Sequence, residues 1–259
     1  MSFVYGGVRS DGLAGVHATL TAWPSLGGLT LETEDKVGKN GRFFGGVART
    51  HSEFTFDVII QGSTPQEVFD RRDNFVGLLD PSRGARSLVV EFEKDWVFPE
   101  VVVASGVDWE RLAWGRDIGF SLRAEVVFET VGPPEARQAE PQVVEFTGST
   151  SFTLTAGNTA SFPRITFDAS SAASAADFVV KIGDFSVKVS AGFPSGHRAD
   201  LDYENFEFYR TNAAGARQAS IVSKLSHFER PVLNPGESVT VSVTGASGKI
   251  RFYPNARRI

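Results

Sequence analysis

Cysteine is absent from the 259-residue sequence, which has only one methionine and four histidines. A chain without cysteine forms no disulfide, offers no thiolate to a metal and has no cysteine nucleophile. The histidines are His17, His51, His197 and His227. No two of them stand at the spacing of an HExxH zinc motif. The fold must therefore be stabilised by packing or by assembly.

Long apolar runs are also missing. No segment approaches the roughly 18 apolar residues that span a bilayer. The opening residues "MSFVYGGVRSDG" have neither the basic nor the apolar region of a secretory leader. We therefore expect synthesis in the cytoplasm and no contact with a membrane.

An excess of basic residues is lacking as well, since 26 Lys and Arg stand against 31 Asp and Glu. Residues 1–132 carry 13 basic and 19 acidic side chains, whereas residues 133–259 carry 13 and 12. Neither half has the basic composition of a nucleic-acid-binding protein. An acidic first half repels phosphate, although the same balance also suits ordinary solubility.

Phenylalanine, glycine and proline are abundant, with 22, 26 and 12 copies. This composition favours short aromatic strands joined by tight turns. Three segments of the first half alternate apolar and polar residues: "SEFTFDVIIQ", "RSLVVEFE" and "GFSLRAEVVFET". Such alternation predicts antiparallel sheets with one solvated face, and it places Leu88, Val90 and Phe92 on one face.

One helix is predicted, in "STPQEVFDRRDNFVGLLDP" (63–81). Thr64 is a suitable N-cap, Pro65 suits the first helical position and Glu67 completes a capping box. Asp80-Pro81 ends the helix. The apolar residues that recur at helical spacing and should cover a sheet are Val68, Phe69, Phe75, Val76 and Leu79.

A proline-rich break, "VGPPEARQAEPQ" (131–142), predicts a domain boundary. We therefore expect a first domain at 1–132, a linker at 133–142 and a second domain at 143–259. Residues 153–167, "TLTAGNTASFPRITF", predict a hairpin that turns at Gly157-Asn158, and 169–177 predict a loop. The regular short strands beyond the break predict a β-sandwich. They are expected at 143–147, 151–156, 162–167, 178–182, 185–190, 205–210, 218–223, 238–243 and 248–253.

The sequence contains no recognisable catalytic or cofactor motif. "GKNGRFFGG" (38–46) lacks the P-loop order of glycines, lysine and Ser/Thr, and it indicates a loop with an aromatic pair at its tip. Asp200, Asp202 and Glu204 alternate as in a calcium loop, but the turn glycine is missing. Alternation instead places these carboxylates on the outer face of a strand. We predict no catalytic residue, cofactor or metal, and hence no enzyme.

Several motifs recur in an order found in one family. They are "FVYGGVRSDGLAGV" (3–16), "KVGKNGRFFGG" (36–46), "LLDP" (78–81), "LVVEFE" (88–93), "FTGSTSFTLTAGNTASFPRITF" (146–167) and "VLNPGESVTVSVTGASGKIRFYPNARRI" (232–259). In this order the chain resembles the distal tail protein family of phages with long non-contractile tails. It departs from the family in its "ARRI" ending and in the loop "SSAASAAD" (170–177).

The resemblance implies a mainly β chain, in which a β-rich N-terminal belt domain with one α-helix precedes a galectin-like β-sandwich. It implies a structural virion protein of the tail tip that assembles into a ring, usually a hexamer. The ring joins the tail tube and tape-measure end to the baseplate hub and tail-fibre proteins, and DNA passes through it without specific binding. Arg42, Phe43 and Phe44 are then predicted subunit-interface residues.

The alternative function is a receptor-binding or carbohydrate-binding tail module. Sugars stack on exposed aromatic rings, and this module would need such rings in a groove of the second domain. All four tryptophans fall in the first half, and the second half has only Tyr203, Tyr209 and Tyr253. This distribution weakens the alternative without excluding it.

Overall fold

The structure is a computed structural model that describes residues 2–24, 28–35, 42–169, 177–190, 196–212, 214–245 and 248–259. Within these ranges, side chains are not described at positions 35, 42–44 and 169. The chain divides into two compact units, Met1–Ala139 and Glu140–Arg258. The segment predicted as a linker contains a strand, Ala136–Gln138, that belongs to the first unit.

The described residues are mainly strands. The α-helix is α1 (Pro65–Leu79), and single turns of 3-10 helix cover Ser10–Gly12, Pro81–Arg83, Glu91–Glu93 and Val222–Lys224. The strands of the first unit are β1 (Phe3–Tyr5), β2 (Val8–Arg9), β3 (Val16–Ala22), β4 (Leu29–Asp35), β5 (Arg42–Arg49), β6 (Glu53–Gly62), β7 (Arg86–Val90), β8 (Trp96–Val103), β9 (Glu110–Gly115), β10 (Gly119–Thr130) and β11 (Ala136–Gln138). Those of the second unit are β12 (Val144–Phe146), β13 (Ser149–Thr153), β14 (Arg164–Ala169), β15 (Phe178–Ile182), β16 (Phe185–Val189), β17 (Arg198–Asp202), β18 (Glu207–Thr211), β19 (Arg217–Ser220), β20 (Ser238–Thr244), β21 (Gly248–Tyr253) and β22 (Arg257–Arg258).

The first unit is built on an antiparallel sheet with the strand order β2-β1-β7-β8-β10-β6-β3. β9 also pairs with β10, and β11 pairs with β8. The longest ladder joins β10 to β6, from Phe120 opposite Gly62 to Glu129 opposite Glu53. Because side chains alternate between the faces of a strand, one face of this ladder is apolar and buried. The predicted alternation of β6 and β10 is confirmed.

The strand predicted in "RSLVVEFE" is shorter than expected. β7 ends at Val90, and Glu91–Glu93 form a turn of 3-10 helix. Phe92 is therefore not on the buried face with Leu88 and Val90: it is 51% exposed, and its ring lies 4.8 Å from that of Trp23. The prediction for Phe92 is wrong because alternation ceases where the chain turns.

Helix α1 begins and ends where the sequence predicts. The Thr64 hydroxyl accepts a hydrogen bond from the Glu67 backbone N–H at 3.2 Å. The Glu67 carboxylate accepts from the backbone N–H of Ser63 at 2.7 Å, and this hydrogen bond lowers the pKa of Glu67. The capping box therefore closes one residue earlier than its usual form.

The apolar side of α1 packs on the sheet. Val68, Phe75 and Leu79 are buried as predicted, whereas Val76 is 42% exposed. Leu78 is buried in its place. At 3.6 residues per turn, position 78 lies three residues after Phe75 and faces the sheet, whereas position 76 has rotated away from it.

The second unit is a β-sandwich, as predicted. Its two sheets have the strand orders β12-β21-β14-β17-β18-β19 and β13-β20-β15-β16. They pack face to face through pairs of aromatic rings. Phe152 lies 5.4 Å from Phe252 in the opposite sheet, and Phe167 lies 5.1 Å from Phe178.

The hairpin predicted over 153–167 is wrong. β13 ends at Thr153 and β14 begins at Arg164, and the two strands belong to different sheets. The connection lies against the end of the chain: a Cβ at Gly157 would stand 2.2 Å from the Arg257 carbonyl oxygen, and Asn158 donates its N–H to that same oxygen. These contacts hold the segment in a crossing from one sheet to the other.

Strand β17, at the centre of the six-stranded sheet, is missing from the sequence prediction. It pairs with β14 on one side and β18 on the other. Its apolar positions are only Ala199 and Leu201, both buried, and so short a pattern among charged residues gives little signal of a strand. Most of the loop predicted over 169–177 lies outside the described residues.

Candidate assembly surfaces

One face of the central sheet of the first unit is mainly polar, and its described side chains are exposed or partly exposed. α1 packs on its other face, against the buried side chains of β6 and β10. The side chains of the polar face are His17, Thr19 and Thr21 on β3, Glu53, Thr55, Asp57, Ile59 and Gln61 on β6, and Arg123, Glu125, Val127 and Glu129 on β10. We call this surface the acidic face, because it carries four carboxylates and one guanidinium.

The single arginine of the acidic face is already paired. Arg123 Nε donates to Asp57 Oδ1 at 2.8 Å, and its Nη1 lies 3.4 Å from Glu110 Oε1. The hydrogen bond to Asp57 raises the pKa of Arg123. Within the described residues, Glu125 and Glu129 make no ion pair. The face therefore presents a net negative charge to solvent.

Strands β4 and β5 form a separate two-stranded sheet, which we call the hairpin arm (29–35 and 42–49). Its register places Leu31 opposite Val47, with a bulge between Glu32 and Thr33. Leu29 is 47% exposed, Leu31 61% and Val47 48%. An isolated two-stranded hairpin is marginally stable in water, and this arm also exposes apolar side chains.

The predicted interface residues Arg42, Phe43 and Phe44 form the start of β5. Their backbones pair with Asp35, Glu34 and Thr33 respectively. Their side chains lie outside the described part of the chain. The structure therefore brings these residues into the hairpin arm, and their role in an interface stays a prediction.

The outer face of the six-stranded sheet carries cross-strand ion pairs. Arg164 binds both carboxylate oxygens of Asp200, at 2.7 and 2.6 Å, and this hydrogen bonding raises the pKa of Arg164. Arg198 approaches Asp168 at 2.6 Å. These arginines neutralise the two carboxylates, and the bidentate pair occupies both oxygens of Asp200.

The three carboxylates considered for calcium have three different roles. Asp200 binds Arg164, whereas Asp202 accepts the backbone N–H groups of Glu204 and Asn205 at 3.0 and 3.1 Å and closes the turn after β17. The Glu204 side chain is only 6% exposed and binds Arg257 at 2.8 Å. The prediction that all three share an outer strand face is therefore wrong for Glu204. In the described ranges, no three His, Asp or Glu side chains are grouped to hold a metal ion.

An arginine covers each of several aromatic rings on the second unit. The guanidinium of Arg217 lies 4.4 Å from the ring centre of Tyr209, that of Arg164 5.4 Å from Tyr253, and that of Arg230 3.8 Å from Phe206. Sugar binding needs a free, flat ring face, and on these rings one face is already occupied. This observation does not favour the carbohydrate-binding alternative.

The turn between β17 and β18 contains an unusual residue that the sequence did not indicate. Phe206 has φ 55°, in the left-handed region that a bulky side chain rarely adopts. Phe206 is 45% exposed, and its ring lies under Arg230. Burial, together with nearby Arg257, lowers the pKa of Arg230. The stacked guanidinium thus stabilises an otherwise unfavourable turn.

Comparison with known proteins gives a match in fold. The sequence matches no protein-family model and no curated protein. The structure matches the Dit (gp 19.1) protein of phage SPP1, described as a paradigm of the hub adsorption apparatus in phages infecting Gram-positive hosts. The TM-score is 0.71, with 14% identity, over 100% of this chain and 99% of that chain.

Two baseplate structures of phage P2 are more distant. The activated form with Ca has a TM-score of 0.47 and 10% identity over 93% of this chain and 90% of that chain. The form with Sr has a TM-score of 0.47 and 9% identity over 97% of each chain. The match to SPP1 Dit establishes a shared fold. The described helix is too short and too polar to cross a membrane.

Proposed function

We propose that this chain is a structural protein of a phage tail tip. Copies of it form a ring at the distal end of the tail tube, and the ring joins the tube and tape-measure end to the baseplate hub and tail-fibre proteins. Two features support the proposal: the fold shared with SPP1 Dit and the acidic face of the first unit. In this role the protein performs no catalysis.

The acidic face is the structural feature that connects the fold to the proposed passage of DNA. In the ring, this face lines the central channel, because it is the side of the main sheet that the helix leaves uncovered. Phosphates approaching it meet Glu53, Glu125 and Glu129 and one arginine that Asp57 already neutralises. Basic walls bind DNA through counterion release. An acidic wall gains nothing from that effect and lets DNA pass.

The first test of the proposal is the mass of the assembly. A hexameric ring of the 28.0 kDa chain has a mass of about 170 kDa. We expect size-exclusion chromatography with light scattering to show a closed species near this value, and negative-stain images to show an annulus with a central hole. A protein that stays at 28.0 kDa at every concentration contradicts the proposal.

The same measurement tests the predicted interface residues. The double variant Phe43→Ala with Phe44→Ala is expected to shift the ring towards monomers, because two aromatic side chains leave the interface. A ring that is unchanged by the two substitutions shows that these residues lie outside the subunit contact.

A second test addresses the channel. We expect the wild-type ring not to retain double-stranded DNA at about 100 mM salt, and the variant Glu125→Lys with Glu129→Lys to bind it at least about tenfold more tightly. Each new phosphate contact should also steepen the salt dependence by about 0.9 in logarithmic slope. Fluorescence anisotropy over a salt series measures both quantities.

A matched control separates position from net charge. Asp70→Lys with Asp73→Lys changes the charge by the same amount on α1, which lies on the opposite side of the sheet. This pair should leave DNA binding much weaker than the β10 pair does. If both pairs strengthen binding equally, total charge explains the effect and the acidic face does not line the channel.

A further inference from the structure

A groove lies at one end of the four-stranded sheet of the second unit. It is formed by residues 183–185, 229–232 and 237–239, and its volume is about 690 Å³. This volume is within the range of pockets that hold ligands. We propose that this groove, which we call the sheet-end groove, binds an extended basic peptide of another protein and adds it as a strand beside β20.

The start of β20 supplies an open backbone edge. β20 begins at Ser238, whereas its ladder with β15 reaches only to Val241, opposite Ile182. Past that pair the chain turns at Gly183, which donates its N–H to the Thr240 carbonyl oxygen at 2.9 Å. Because backbone groups alternate between the two sides of a strand, Ser238 directs its N–H and C=O to the same side as Thr240. Ser238 lines the groove, and among the described residues none pairs with it on that side.

The carboxylates of the groove determine which peptide it suits. Asp184, Glu229 and Glu237 line it, together with one cation, Arg230. Asp184 and Glu229 form no ion pair within the described ranges, and Glu237 accepts a hydrogen bond from the side-chain amide of Asn234 at 2.9 Å. A lysine or arginine side chain of the peptide neutralises these carboxylates, and opposite charge steers such a peptide to the groove.

Arg230 supplies hydrogen-bond donors for the peptide backbone. Its guanidinium lies 3.8 Å from the centre of the Phe206 ring and 4.8 Å from that of Phe162, and the two rings hold it in place. Its Nη2 donates to the Glu204 carbonyl oxygen at 3.4 Å, and in the described part of the chain no carboxylate pairs with it. A guanidinium has five N–H groups, so most of its donors can reach peptide carbonyl oxygens.

A peptide fits the groove better than a sugar does. Phe185 is the aromatic residue among the described residues that line the groove, and its ring packs against those of Tyr203 and His227, each at 5.4 Å. Sugars stack on a free ring face. An extended peptide instead gains main-chain hydrogen bonds from an open strand edge and specificity from side-chain contacts. The inference concerns the second unit alone and does not depend on the ring.

Fluorescence anisotropy with short peptides tests the charge requirement. We expect the full chain to bind the labelled peptide Val-Lys-Val-Lys-Val at least about tenfold more tightly than Val-Glu-Val-Glu-Val. The variant Asp184→Asn with Glu229→Gln should weaken binding of the lysine peptide at least about tenfold. Glu145→Gln with Glu207→Gln removes the same charge from the other sheet and should change the affinity less than about twofold, because distant charges are screened. Equal losses for the two variants, or no binding of the lysine peptide, overturn the inference.

N-methylated peptides test the strand pairing without any change to the protein. Methyl groups on the nitrogens of alternate residues block the N–H groups along one edge of an extended peptide. One of the two alternating patterns should therefore lower the affinity at least about tenfold, and the other should have little effect. Bound unmethylated peptide should slow hydrogen exchange at residues 237–241, measured by mass spectrometry. Equal effects of the two patterns, or unchanged exchange, show that the peptide does not pair with β20.

The same exchange measurement separates a peptide from a sugar. If maltotriose protects residues 237–241 and the lysine peptide does not, the groove binds sugars and the inference is wrong. Circular dichroism checks that the variants are folded. None of these results depends on the mass of the assembly, so their failure leaves the proposed function to its own tests.

Discussion

Replacing Phe128 with alanine is expected to lower the free energy of unfolding of the first unit by about 3–5 kcal/mol. Phe128 is fully buried. Its ring lies 5.1 Å from Phe3, 5.0 Å from Tyr5 and 5.8 Å from Phe56. Alanine therefore removes one member of an aromatic cluster that joins β1, β6 and β10, and the cavity adds to the lost burial.

Calorimetry of the full chain measures this effect. We expect the transition of the first unit to move to lower temperature, while that of the second unit keeps its midpoint. Phe92→Ala is the matched control, because Phe92 is 51% exposed and should cost less than about 1 kcal/mol. Similar losses for the two variants would show that the cluster around Phe128 does not stabilise the first unit.

Replacing Glu204 with leucine is expected to destabilise the second unit by about 3–5 kcal/mol. The side chain of Glu204 is 6% exposed and that of its partner Arg257 12%. Arginine cannot release its proton in a protein, so the substitution removes the carboxylate that binds a guanidinium that stays charged and mostly buried. The nearby guanidinium of Arg230 adds a repulsive charge.

A second variant identifies the buried charge as the cause. Glu204→Leu with Arg257→Met removes both charges, and it should recover a large part of the lost stability. Glu207→Leu is the exposed control: the side chains of Glu207 and Arg217 are 36% and 55% exposed, and such pairs contribute about 0–1 kcal/mol. Calorimetry of the full chain, evaluated at the transition of the second unit, measures all three. A double variant as unstable as the single one would contradict the explanation.

The structure shows where sequence reasoning is reliable. The alternation of Phe54, Phe56, Val58 and Ile60 predicts a half-buried strand, and all four are buried. Thr64, Pro65 and Glu67 place the helix start correctly. In each case the signal is local, because the periods of strand and helix and the hydrogen bonds of a cap involve residues only a few positions apart.

The candidate site is less visible in the sequence. The counts of charged residues indicate an acidic first half, but only the β3–β6–β10 pairing gathers Glu53, Glu125 and Glu129 on one uncovered face. From the sequence, the aromatic pair Phe43-Phe44 is predicted to lie in a subunit interface. The side chains that the structure exposes nearby, Leu29, Leu31 and Val47, have no sequence signal of their own.

By itself, the sequence determined the classes of element in this protein: short strands, one capped helix, two halves of different charge and no cysteine chemistry. Only the tertiary structure decided which strands are neighbours. It sends residues 153–167 from one sheet to the other, gives Glu204 a partner 53 positions away and exposes the apolar side chains Leu29, Leu31 and Val47 of the hairpin arm. Local patterns follow from backbone periodicity, whereas strand order depends on long-range packing that no short stretch of sequence encodes.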